Sequence, residues 1–175
     1  IVEGGGLRVW GLANALATNG HQVTIGITSH YLNSSIRTVN GILLIPYVNV
    51  RDLIEVLTSS QAVIYPTGAP TIANDVLNLR SQFTICIGDS YVPIHVEVSA
   101  RISEDLELEE FHFQENSPKW LRAIGQSDIL LCASESQKTY LLGVLAGSGY
   151  LSPKSYKNLK IILIPFGIEK NNLIA

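Results

Sequence analysis

The chain has 175 residues, a length typical of one domain; 46% of its residues are hydrophobic and 15% are charged. That balance supplies enough apolar side chains for a buried core and argues against intrinsic disorder. A net charge of −3 disfavours nucleic acid or an anionic membrane surface as the main partner. No apolar run approaches the roughly 20 residues of a membrane span, and no basic segment followed by an apolar stretch marks a signal peptide.

Three consecutive glycines lie near the start of this sequence and lead into an amphipathic helix that is predicted from Leu7 to Thr18. Glycine lets the backbone approach a ligand closely, and the first turn of a helix presents unpaired N–H groups. The segment therefore predicts a phosphate-binding loop, with a plain tight turn as the alternative. The glycines concerned are Gly4, Gly5 and Gly6.

Arg8 follows this loop in the first helical turn, where a cation is electrostatically unfavourable. A bound anion nearby would explain it, and a solvated surface position is the alternative. The loop matches neither of two familiar nucleotide motifs, because the third glycine of G-x-G-x-x-G would fall on Val9 and the Lys-Ser/Thr pair of a P-loop is missing. Only Ile1, Val2 and Glu3 precede the glycines, so we expect a leading strand upstream of residue 1, with the end of that strand at these residues as the alternative.

The rest of the chain alternates between short apolar strands and helices. Strands are predicted at 23–27, 42–48, 62–65, 83–87, 129–133 and 161–164, with a further strand around 36–39 in an otherwise irregular loop. Helices are predicted at 52–57, at 71–79, from Pro118 onward, and from a Ser134-x-x-Gln137 capping box to about Leu145. This alternation predicts an α/β fold with a Rossmann-like parallel sheet covered by helices on both faces.

Ligands of such sheets bind beyond the carboxyl ends of the strands, so polar residues at those ends are the candidate site. Asp89 ends one predicted strand, and Tyr91, His95 and Glu97 follow it at alternate positions. A neutral imidazole at His95 could hydrogen-bond a hydroxyl group and change its protonation near neutral pH. Backbone pairing of His95 in a loop is the alternative. His30, Ser134 and Glu135 follow two other strand ends.

Several other polar or reactive residues have a structural explanation. His21 follows the helix-stopping Gly20, and His112 lies in the acidic segment 104–115, which is either a solvated face or a mobile flap. Cys86 and Cys132 lie in apolar runs, so we expect two buried free thiols rather than a disulfide or zinc site. That usage is typical of a reducing, cytoplasmic environment.

The order and spacing of these motifs resemble the N-terminal domain of GT-B glycosyltransferases of family 4. The resemblance is carried by the glycine loop with Arg8, by Gly20-His21 before the strand at Val23, and by the strand 129–133 ending at Ser134. The segment 164–168, Ile-Pro-Phe-Gly-Ile, is similar to the point where such chains cross to their second domain.

The resemblance implies the acceptor-side domain of a retaining enzyme that transfers a sugar from a nucleotide-diphosphate sugar to a glycan, lipid-linked or small-molecule acceptor. Residues 1–168 would form this domain, which would lack its first strand, and 169–175 would begin the crossover to a C-terminal domain that binds the nucleotide-sugar. His95 and Asp89 would contact the reacting groups, and the glycines with Arg8 would approach the donor diphosphate. The remaining strand-end residues would line the acceptor: His30, Tyr91, Glu97, Ser134 and Glu135.

The resemblance further implies no metal and no cofactor besides the nucleotide-sugar, and it is compatible with peripheral membrane association. This chain alone would be inactive. The alternative is a non-catalytic, flavodoxin-like module that binds a nucleotide or a sugar. A receiver-type regulator fits poorly, because only Asp89 matches the acidic cluster that such proteins need.

Overall fold

The computed structural model describes residues 4–29, 35–92, 94–99 and 105–165. They form an α/β protein that divides into two compact units, one ending at Val56 and one running from Leu57 to Pro165. The prediction of an α/β fold is therefore confirmed. The strands form two sheets, one in each unit.

The first unit contains one helix and a three-stranded sheet in the order β1-β3-β2. The helix α1 packs against a small core of Ala13, Ile42 and Leu44. A 3₁₀ turn at Val50–Leu53 follows, capped by Asn49, whose side chain accepts from the Arg51 amide. The elements are α1 (Gly4–Thr18), β1 (Thr24–Thr28), β2 (Arg37–Val39) and β3 (Ile42–Tyr47), and α2 (Ile54–Ser59) runs across the boundary between the units.

The pairing of β2 differs from the predicted all-parallel arrangement, because β2 runs antiparallel to β3. The two strands are joined by Asn40 and Gly41, which both have positive φ, at 51° and 78°. A two-residue connection of this type matches the twist of an antiparallel hairpin and cannot join parallel strands. The Asn-Gly pair was the sequence signal for this hairpin.

The second unit carries a four-stranded, all-parallel sheet flanked by helices, in the order β4-β5-β6-β7, which is Rossmann-like. Its core contains Trp120, Leu130 and Leu141, and both cysteines are buried and free as predicted. The elements are β4 (Ala62–Pro66), α3 (Pro70–Leu79), β5 (Ile85–Asp89), α4 (Ile94–Ser99), α5 (Leu106–Gly125), β6 (Ile129–Cys132), α6 (Glu135–Gly147), α7 (Pro153–Tyr156) and β7 (Lys160–Leu163).

Helix α5 is longer than predicted: it begins at Leu106 rather than near Pro118, which lies inside the helix. The Asp105 side chain caps the helix by accepting from the Leu108 amide at 2.9 Å. Glu107 and Glu109 add negative charge to the first turn, where the helix dipole favours it. The acidic segment is thus the exposed start of a helix that also packs on α3.

Two asparagines of α3 make that contact specific. The side-chain nitrogen of Asn74 donates to the Lys119 carbonyl at 2.7 Å. The Arg122 guanidinium donates to the side-chain oxygen of Asn78 at the same distance. These bonds fix the position of α5 beside the sheet. No helix in the described residues combines the length and apolar character that crossing a membrane requires.

Candidate functional site

Three buried polar residues meet where β4 and β5 end, and we call Thr67, Asp89 and Ser90 the strand-end cluster. The Thr67 amide donates to the Asp89 carbonyl at 3.0 Å, and the two hydroxyl oxygens of Thr67 and Ser90 lie 3.0 Å apart. The Ser90 amide donates to the Leu131 carbonyl at 2.8 Å, which extends the ladder to β6. Asp89, a predicted site residue, is only 4% exposed.

Gln137 connects the end of β6 to the loop that follows β5. Its side-chain oxygen accepts from the Ala133 amide at 2.7 Å, and its side-chain nitrogen donates to the Tyr91 carbonyl at 2.6 Å. Tyr91, a predicted acceptor-binding residue, is half-buried, and its main chain is held by this bond. The carboxyl edge of this sheet is therefore a network of polar groups that are hydrogen-bonded to each other and mostly buried.

Ser134 and Glu135 begin α6 at the same edge. The Ser134 hydroxyl accepts from the Gln137 amide at 3.2 Å, so the predicted N-cap is confirmed. The predicted capping box is only half formed, since Gln137 turns back to Ala133 instead of Ser134. Glu135 is exposed and pairs with Lys138 at 3.6 Å, a surface ion pair of the kind that contributes little to stability.

His95 lies on α4, a helix in a stretch that the sequence did not predict to be helical, and its ring packs against α5. Its Nε2 atom is 2.8 Å from the Ser117 hydroxyl. The Phe113 ring meets it edge-on with centroids 5.0 Å apart, and the Trp120 ring lies at 4.4 Å. His95 is therefore paired with a side chain, and the alternative of a backbone-paired loop histidine is wrong.

The electrostatic state of His95 follows from this packing. Burial against aromatic rings lowers the pKa of His95 below its ordinary value of 6.5, because the cation loses hydration. The Nδ1 atom is buried and has no hydrogen-bond partner among the described residues. The nearby Trp120 Nε1–H is a second buried polar atom without a described partner. A buried polar atom of this kind calls for a ligand, a water or a functional role.

The predicted phosphate-binding residues belong to the first unit. Gly4, Gly5 and Gly6 are not a loop but the first turn of α1, so their amides are among the four that a helix leaves without intrahelical partners. The Arg8 side chain is 5% exposed, so the alternative of a solvated surface position is wrong. Binding of an anion at this turn stays a prediction.

The positions of two predicted side chains lie outside the part of the chain that the structure describes. His30 lies outside the described residues, and Glu97 lies on α4 with a side chain outside the described set. His112 is exposed on the outer side of α5, as predicted. No group of three or more His, Cys, Asp or Glu among the residues described is placed to hold a metal ion.

The described residues also form an open groove on the second unit. It has a volume of about 500 Å³ and runs beside β7 and α6, where Lys138, Leu142 and Tyr156 contribute to its lining, and it contains none of the predicted site residues. Its walls mix lysine side chains with aliphatic ones, without the convergent polar groups found at the strand ends.

Sequence reasoning missed Ser117 and Gln137 as members of the site. Thr67 was predicted by its position, since it lies among the residues that directly follow the predicted strand 62–65. Ser117 could not be found in this way, because it lies in the middle of a helix whose first half was not predicted. Comparison of the chain with protein-family models, with curated proteins and with solved structures finds no match.

Proposed function

We propose that this chain is the acceptor-side part of a retaining glycosyltransferase that uses a nucleotide-diphosphate sugar and transfers its sugar to a glycan, lipid-linked or small-molecule acceptor. The observation that carries the proposal is His95. It lies six residues past the end of β5, it is kept neutral by burial, and its Nδ1 is without a partner among the described residues. The unpartnered nitrogen of a neutral imidazole can accept a hydrogen bond from a hydroxyl group. Hydroxyl groups are the most abundant functional groups of sugars.

The strand-end cluster supports the proposal. Its backbone bonds hold the ends of β4, β5 and β6 in register, so that the loop leading to α4 starts from a rigid edge. A site built on rigid elements holds a substrate with less misplacement than one built on a free loop. Gln137 extends this support to Tyr91, which lies between the cluster and His95.

The donor side of the proposal rests on the resemblance of the glycine segment and Arg8. The first-turn amides of α1 supply N–H donors that suit a diphosphate. Asp89 would act from a buried position, and Ser134 and Glu135 would act from the start of α6. A metal ion has no role in the proposed reaction.

The test is turnover by the full-length product of the gene that encodes this chain. The protein is incubated with nucleotide-diphosphate derivatives of the common hexoses, with and without simple glycoside acceptors, and the released nucleotide is measured. We expect release with at least one donor, and a product that keeps the anomeric configuration. No release with any donor or acceptor would contradict the proposal.

A second measurement separates the alternative of a non-catalytic binding module. The 175-residue chain is titrated with UDP, GDP and ADP in a calorimeter. Tight binding of a nucleotide by this chain would favour the binding module, because the resemblance assigns nucleotide recognition to a different domain.

A further inference from the structure

We infer that Ser117 is a positioning residue that holds His95 as the Nε2–H tautomer, so that Nδ1 is an acceptor for a hydroxyl group of a bound ligand. The identification of that hydroxyl with a sugar rests on the proposed function. The tautomer and the role of Ser117 rest on geometry alone.

The tautomer follows from which group supplies the hydrogen of each hydrogen bond at Ser117. The Ser117 hydroxyl donates its only hydrogen to the Phe113 carbonyl, which is 2.7 Å away. Toward His95 Nε2, at 2.8 Å, its oxygen can therefore only accept. The hydrogen between them belongs to Nε2, and in a neutral ring Nδ1 is left with a bare lone pair.

The orientation of the ring follows from its neighbours. Phe113 meets the imidazole at an interplanar angle of 83°, and Trp120 covers it at 57°. Phe113, Ser117 and Trp120 all belong to α5, so one helix supplies every described contact of the His95 ring. Turning the ring over would replace Nε2 by a carbon and break the bond to Ser117.

The vacant lone pair selects the chemistry of the ligand group. At neutral pH a carboxylate or sulfate oxygen carries no hydrogen and offers only a lone pair of its own, and two lone pairs repel. A hydroxyl group supplies the hydrogen that Nδ1 requires, and its oxygen can also accept from an N–H such as Trp120 Nε1. A buried water offers the same chemistry, so the experiment must separate water from a ligand.

The experiment is ¹⁵N spectroscopy of the histidine side chains in the 175-residue chain, with the His95 signals assigned through His95→Gln. We expect Nε2 protonated and visible in slow exchange, and Nδ1 unprotonated at the shift of a nitrogen that accepts no hydrogen bond. A protonated Nδ1 would overturn the tautomer. If the ¹⁵N chemical shift of Nδ1 already shows a hydrogen bond in the ligand-free chain, then Nδ1 binds water. That result would overturn the inference that Nδ1 accepts from a ligand. Inorganic sulfate, which carries no hydrogen at neutral pH, should change neither nitrogen, and protonation of Nδ1 on its addition would overturn the preference for a hydroxyl.

Variants of Ser117 test the positioning role directly. Ser117→Ala should abolish the slowly exchanging Nε2–H signal, whereas Ser117→Thr should retain it, because threonine keeps both the hydroxyl and its bond to the preceding turn. Ser148→Ala is the matched control, since the Ser148 hydroxyl, at the C-cap of α6, donates to the Val144 carbonyl at 2.8 Å with the same spacing of four residues. Persistence of the signal in Ser117→Ala would overturn the inference, and if that variant fails to fold, the wild-type tautomer still decides it.

In the full-length gene product, Ser117→Ala should lower kcat/KM about tenfold and Ser117→Thr should restore it, on the scale of one buried hydrogen bond. Full activity in a folded Ser117→Ala protein would overturn the positioning role. If the wild-type protein transfers no sugar, the proposed function fails by itself, and the spectroscopic result still decides the role of Ser117.

Discussion

Individual residues at the carboxyl edge of the four-stranded sheet have little freedom to change. Thr67 and Ser90 are buried, and their hydroxyl oxygens pair with each other. Tyr65 lies behind them, where its hydroxyl is 2.9 Å from the Ser127 hydroxyl and burial raises its pKa to about 12. The sequence placed Asp89 and Ser134 at this edge correctly, because each directly follows an apolar strand. It could not place the partners that come from helices distant in the chain.

Gly88, the glycine of β5, has no room for an added methyl group. A Cβ at this position would collide with the Ser127 hydroxyl and would lie 3.0 Å from side-chain atoms of both Leu130 and Thr67. We expect Gly88→Ala to lower the free energy of unfolding by about 1–3 kcal/mol, as overpacking does. Urea unfolding measures this change.

Gly143→Ala is the control for Gly88→Ala. Gly143 lies in α6 with no atom within 4 Å of the added carbon, so alanine should stabilise the chain by about 1 kcal/mol through helix propensity. Equal effects of the two substitutions would contradict the packing described for β5.

His95 predicts a dependence of stability on pH. Its pKa is lowered in the folded chain by burial, so the unfolded chain takes up the proton first as the pH falls. The stability contributed by neutral His95 is present above the ordinary pKa of 6.5 and is lost as the pH falls below it toward the folded-state pKa. Free energies of unfolding at about pH 7.5 and about pH 5.5 should therefore differ less in His95→Gln than in the wild type. Equal differences would show that His95 is not held neutral by the fold.

At the scale of elements, the sequence predicted the strands well, but it missed α4, α7 and the first half of α5. A short, continuous apolar run such as 129–132 predicts a buried strand, because it is too short for a helix. In the structure this run is β6, which pairs with β5 and β7 in the parallel sheet. The first half of α5 has no continuous apolar stripe, because Leu106, Leu108 and Phe111 face solvent and four of its ten residues are glutamates. The helix forms there through its cap and its charge pattern. Helix α4 contains Val96 and Val98, which are weak helix formers, and tertiary contact with α5 accompanies its formation.

The cap of α5 gives a test at this scale. Asp105→Ala removes the oxygen that accepts from the Leu108 amide, and we expect it to lower the free energy of unfolding by about 1 kcal/mol. Asp105→Asn keeps a capping oxygen and should remain close to the wild type. Urea unfolding followed by circular dichroism distinguishes them. An Asp105→Ala protein as stable as Asp105→Asn would mean that the cap does not support this helix.

At the scale of the whole molecule, the sequence predicted the α/β class and parallel strand pairing, but it placed the strands in one sheet rather than in the two that the structure has. The antiparallel pairing of β2 depends on the two-residue turn at Asn40–Gly41. Locating strands by their apolar runs alone overlooks this turn, because the turn itself is not apolar. The His95 region of the second unit provides a matched pair of variants that tests the proposed function.

The most direct test of the proposed function compares His95→Ala with His112→Ala in the full-length gene product, using the nucleotide-sugar that supports turnover. Both residues lie in the same region of the second unit, but His95 is packed against α5 whereas His112 is exposed on it. The proposal predicts that His95→Ala lowers kcat/KM by about 10- to 100-fold, as loss of a buried hydrogen-bond partner does, while His112→Ala leaves kcat/KM unchanged. A folded His95→Ala protein with wild-type kcat/KM would contradict it.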